Sequence, residues 1–98
     1  MASVLNLFKR MKKNRRLYIG NDNILAMQHI VSGYGECLRD LGISQDKEYE
    51  HFVLFVHEML KVEKSGVSIW RLIAERTKTD DEAFDLFFLF LSKFDEHT

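Results

Sequence analysis

The sequence predicts an all-α fold, a single compact bundle of about five helices, and three observations carry that expectation. Apolar residues recur at helical rather than alternating spacing through nearly the whole chain. Proline is absent, and the five glycines fall where they punctuate helices or lie within one. No stretch alternates apolar with polar residues as a half-buried strand would. The 98 residues suit one domain, 1–98, so the helices are expected to share one core.

The first helix is expected over residues 2–13. Val4, Leu5, Phe8 and Met11 fall on one face, with Lys9, Arg10, Lys12 and Lys13 elsewhere, and the start of such a terminal helix is expected to fray. After a turn around Gly20, Asp22 or Asn23 can cap a second helix running to Leu41. Its apolar stripe is Ile24, Met27, Val31, Tyr34, Leu38 and Leu41, and Gly42 stops it by tolerating a left-handed backbone. Gly33 and Gly35 lie inside this helix, where each costs about 0.5–1 kcal/mol relative to alanine, so they are expected to admit a close neighbouring helix or a bend.

A third helix is expected from Ser44 to about Val62, burying Tyr49, Phe52, Val53, Val56, Met59 and Leu60. Glu50, His51, His57, Glu58 and Lys61 fall mainly opposite. The segment KSGVS interrupts the pattern, and Ser68 then caps a short helix carrying Ile69, Leu72 and Ile73, with Trp70 beside that stripe. Arg76 and Lys78 are placed in its last turn, facing the negative helix end. Thr79, Asp80, Asp81 and Glu82 form a capping box with an acidic first turn. From Ala83 to Phe94 the last helix is apolar over more than half its circumference, which places it in the middle of the bundle.

The formal net charge of −1 conceals an uneven distribution. Residues 1–16 hold six of the fourteen basic side chains and no acid, giving +6; residues 17–98 hold the other eight with all fifteen acids, giving −7. The chain thus divides into a basic amphipathic N-terminal helix and loop and an acidic helical body. No apolar run approaches the roughly 20 residues of a membrane-spanning helix, so no membrane partner is expected. Val4, Leu5, Leu7 and Phe8 precede the basic cluster, the reverse of a secretory signal, and Cys37 has no second cysteine to pair with. A cytoplasmic location is the expectation.

Candidate chemistry is tested most directly by RRLYIGND, because gyrase-type ATPases carry a similar Tyr-Ile-Gly after a basic stretch. Their phosphate site also needs a Glu and Asn pair on the next helix and a later Asp-x-Gly-x-Gly segment. Neither is present, so a nucleotide site is not expected. Gly33-Tyr34-Gly35 lacks the Gly-x-Gly-x-x-Gly spacing and follows no strand. Cys37, beside an apolar stripe, reads as a small hydrophobe rather than a nucleophile. His51 and His57 are six apart, not the i, i+4 spacing of a zinc helix. No catalytic, metal or cofactor set is expected.

Two binding surfaces are left. The run KRMKKNRR could hold phosphate in a salt-dependent way, but only Phe8 interleaves with it and the acidic body repels nucleic acid. A small nucleic-acid-binding or regulatory module using residues 9–16 is therefore the alternative reading. Acids are spread over the remaining helices, and an acidic helical surface can recognise a basic protein. Glu36, Asp40, Glu50, Glu58, Glu63 and Asp85 are the candidate partner-binding residues.

The order RRLYIG, NILAMQHIVSGYGECLRDLGI, FVLFVHEML, SIWRLI and DDEAFDLFFLFLSKF resembles a family of small helical bacterial immunity proteins. Those proteins partner polymorphic and contact-dependent growth-inhibition toxins. The resemblance lies in Tyr18, Ile19 and Gly20, in Gly33 and Tyr34, in Trp70, and in Asp81, Ala83, Phe84, Phe87 and Phe88. Arg15 and Arg16 stand where family members often have Pro-Gly, which implies a less rigid turn here. The resemblance implies a cytoplasmic binder, not an enzyme, that blocks a cognate toxin by covering its active site. Many such toxins degrade nucleic acid through basic clefts, which implies a basic partner and an inhibitor that mimics phosphate.

Overall fold

The computed structural model describes residues 3–15, 23–63 and 66–97. Expectations for Tyr18, Ile19, Gly20 and Asp22 lie outside the described residues. Among those residues the chain is all-α, with α1 (Val4–Lys13), a 3-10 turn (Ile24–Ala26), α2 (Met27–Asp40), α3 (Lys47–Met59), α4 (Ile69–Glu75) and α5 (Asp80–His97). The Cα radius of gyration of 13.1 Å matches the roughly 13 Å of a compact 100-residue domain.

One carboxylate starts two of these helices. Ser3 is the N-cap of α1, and its Oγ accepts the Leu5 N–H at 3.2 Å. Asp46 accepts the Ser3 hydroxyl at 2.7 Å and the Val4 N–H at 2.8 Å, and as the N-cap of α3 it also accepts the Tyr49 N–H at 3.1 Å. From Ser3 onward the start of α1 is buried and capped, and α3 begins after Asp46 rather than at the expected Ser44, because the carboxylate satisfies more of the free N–H groups.

The helix ends differ in how far the sequence betrays them. Gly42 ends α2 with φ 84°, while Ile43 donates to the Leu38 carbonyl at 2.8 Å and Gly42 to that of Arg39 at 2.9 Å. α3 closes with the same geometry on a lysine. Lys61 has φ 56°, and Val62 donates to the His57 carbonyl at 3.0 Å, so the helix stops at Met59 instead of reaching Val62. Arg76 lies one residue past α4, where its guanidinium donates to the Leu72 carbonyl at 3.1 Å, and Lys78 lies beyond that turn. At α5, Thr79 Oγ1 accepts the Glu82 N–H at 3.1 Å. Glu82 reaches back to the Lys78 N–H at 2.9 Å, one residue earlier than the expected reciprocal bond.

The core forms where three helices bring aromatic rings to Phe8 of α1. Its ring centroid lies 6.2 Å from that of Phe52 on α3, 5.8 Å from Trp70 on α4 and 5.1 Å from Phe87 on α5. Trp70, expected beside its stripe, is buried between Phe8 and Phe87. Steep interplanar angles of 82° and 86° for the Trp70 and Phe87 pairs set positive ring edges against negative faces. α5 contributes Ala83, Phe84, Phe87, Phe90, Leu91 and Phe94 to the core. It lies at the side of the bundle rather than in its middle, because Asp81, Glu82 and Asp85 share its outward side with Leu89, which is 49% exposed.

Other face assignments are corrected as well. Leu41 is 74% exposed and Met59 38%, since both stand at helix ends past the last packed turn. His57, expected on the polar face, is buried, with Nδ1 donating to the Val53 carbonyl 2.8 Å away along its own helix. Gly33 and Gly35 admit no neighbouring helix: nothing among the described residues lies within 4 Å of a Cβ placed at either.

Candidate functional site

The six candidate carboxylates are all exposed, and they are distributed over three helices and the loop after α3. Glu36 and Asp40 are one turn apart on α2, where Glu36 pairs with Arg39. Glu50 and Glu58 flank Leu54 on the outer side of α3, Glu63 follows that helix, and Asp85 is on α5. Helix order thus brings together the α2 pair and the α3 pair but does not converge the six on one pocket.

The α3 surface has the most shape. Tyr49, Glu50, His51, Val53 and Leu54 line an open groove of about 440 Å³. Leu54 is 44% exposed between the two carboxylates, an apolar residue in the centre of an otherwise polar face. A second cleft of about 310 Å³ lies at the start of α5, between Ile24, Ala74, Lys78 and Thr79. Its acidic first turn, Asp80 to Glu82, disfavours an anion there.

Three residues of the basic N-terminal run make surface contacts with α5. Lys9 pairs with Asp95 at 3.4 Å, and Lys12 donates to the Ser92 hydroxyl. Arg15 pairs with Asp81 at 2.9 Å while its guanidinium carbon lies 4.2 Å from the centre of the Phe84 ring. Lys9, Arg10, Lys12 and Lys13 nonetheless remain exposed, and Arg15 alone of the described basic residues in this run is partly buried. Flat guanidinium geometry explains Arg15, since one side stacks on the ring while an edge meets the carboxylate.

Two polar groups of the interior were not singled out from the sequence. Asp46, two residues past the expected start at Ser44, carries a legible signal, since an aspartate directly before Lys47 and Glu48 at the head of an apolar pattern suits an N-cap. Tyr49 was read as core alone. Burial pushes its phenol up from 10.0 to about 12, with the Asp46 charge adding to the rise and a hydrogen bond with Trp70 opposing it. The indole N–H can only donate, so the phenol oxygen accepts.

The groups that could carry chemistry do not assemble. Cys37, expected to act as a small hydrophobe beside the apolar stripe, is exposed on α2. His29 and His51 are exposed, and the Nε2 of buried His57 has no hydrogen-bond partner among the described residues. Among those residues no three His, Cys, Asp or Glu side chains gather where they could hold a metal ion, and no helix is long and apolar enough to cross a membrane. Comparison of the chain with family models, curated proteins and solved structures gives no match.

Proposed function

We propose that the chain is an immunity protein, a small helical binder that neutralises a cognate bacterial toxin domain by covering its active site. The observation that supports this reading most is the division of charge on the folded surface. Lys9, Lys12 and Arg15 are engaged by α5, whereas Asp40, Glu50, Glu58, Glu63 and Asp85 are exposed, outside the ion pairs that the described residues make. Exposed carboxylates of this kind complement a basic partner, and complementary potential speeds encounter and sets orientation.

Size is adequate for the task. A specific interface takes roughly 800 Å² per partner, a modest share of the 6533 Å² accessible here. A nuclease toxin suits this chemistry, because carboxylates spaced along helices can stand in for phosphates in a cationic cleft.

Co-expression with the product of the adjoining reading frame tests the proposal: growth should be rescued and the two proteins should co-purify. Failure of both with a folded chain would sink it. Reversal of Glu36 with Asp40, or of Glu50 with Glu58, to lysine then locates the interface, with a loss of about 2–5 kcal/mol where the partner buries the charge. The competing nucleic-acid reading would gain instead from low-salt binding of DNA or RNA that disappears in a Lys12→Ala, Lys13→Ala variant.

A further inference from the structure

Three features coincide in the second half of α2. Gly33 and Gly35 each favour the unwound chain roughly four- to five-fold over alanine. Nothing among the described residues lies within 4 Å of a Cβ built at either position, so no packing among those residues accounts for them. Directly beneath is a cavity of about 80 Å³ between α1, α2 and α3, lined by Val4, Val31, Tyr34, Gly35, Leu38 and Tyr49 among others. Finally, the helix is anchored mainly at its start. Met27 belongs to the contiguous core, whereas Ile30, Val31 and Tyr34 are only partly buried, and Leu38, though buried, lies outside that core.

We infer that the C-terminal half of α2, from Gly33 to the Gly42 turn, is a separate opening unit that unwinds while α1, α3, α4 and α5 stay packed. A helical segment opens at low free energy when few apolar contacts hold it and its residues gain much entropy on release. Opening carries Glu36, Cys37 and Asp40 away from the body and bares Tyr34 and Leu38. The start of α2 stays fixed, through Met27 in the core and through Gln28, which donates to Ser68 at the head of α4 at 2.9 Å. The inference stands apart from the proposed function, since it concerns the free chain.

Native-state amide exchange on the whole protein, followed residue by residue by NMR, tests it. The amides of Cys37, Leu38 and Arg39 bond to the carbonyls of Gly33, Tyr34 and Gly35 by helical geometry. They should exchange at least about a hundredfold faster, relative to intrinsic rates, than those of Phe87 to Leu91, and with little dependence on denaturant. Ile73→Val should lower protection in α5 and leave residues 37–39 unchanged, because open and closed α2 share the same core. Gly33→Ala with Gly35→Ala should slow exchange at residues 37–39 by roughly twentyfold. Equal protection and equal denaturant dependence in α2 and α5, with both falling together in Ile73→Val, would overturn the inference.

Discussion

At Asp46 three hydrogen bonds converge on one carboxylate, from Ser3, Val4 and Tyr49, and each replaces a contact that the unfolded chain makes with water. Asp46→Ala therefore removes caps from α1 and α3 at once. The expected loss is about 2–4 kcal/mol, read as a lower urea midpoint, with Asp46→Asn losing less because its amide oxygen still accepts. Tyr49, three residues on, adds a pH dependence. Between pH 10.0 and about 12 the unfolded chain releases the phenol proton while the folded chain keeps it. The unfolded state then binds fewer protons, so stability is full below pH 10 and falls across that window, by at most about 3 kcal/mol. Unfolding curves from pH 9 to 12 should show this fall, and Tyr49→Phe should flatten it while leaving the Trp70 N–H without its acceptor.

At the scale of the elements, helix ends decide where periodicity and structure part. Lys61 occupies at the end of α3 the left-handed position that Gly42 occupies after α2. Lys61→Gly should stabilise the protein by about 1 kcal/mol, seen as a higher denaturation midpoint at unchanged slope. The same comparison shows what the sequence makes legible. Five helices follow from apolar spacing, and the stop at Gly42 follows from residue type, but the stop at Lys61 depends on a backbone conformation that lysine does not advertise. Faces were read well where a helix is packed along its length, as for Phe84, Phe87 and Leu91. They were misread at Leu41 and Met59, because a stripe shows which side of a helix is apolar and not which turns meet a neighbour. His57 was misread for a related reason, since its ring folds back over the preceding turn. The exposure of the candidate carboxylates was legible because burying charge is costly. Their separation onto three helices and the loop after α3 was not, since it depends on how helices pack.

For the molecule as a whole, α1 belongs to the core even though its composition marks it as an appendage. Its ion pairs with α5 are partly exposed, 49% and 42% for Lys9 and Asp95, and pairs of that kind contribute only about 0–1 kcal/mol. The rings hold it: Phe8 is completely buried and touches aromatic side chains from three other helices. Phe8→Ala should cost about 3–5 kcal/mol, a large share of the roughly 5–15 kcal/mol available to a domain of this size. Denaturant unfolding should show α3, α4 and α5 losing cooperativity with it, because the ring is their common neighbour.

The meeting of Phe8 with Phe87 also bears on the order of events during folding. Phe8 of α1 and Phe87 of α5, far apart in sequence, must come together before the aromatic cluster can close, so a nascent chain that lacks α5 leaves Phe8, Phe52 and Trp70 without the ring that completes them. Local helices can form early, but the long loop must close before the core rewards it. The domain is thus expected to commit to its fold only after α5 has left the ribosome, in one concerted step rather than helix by helix.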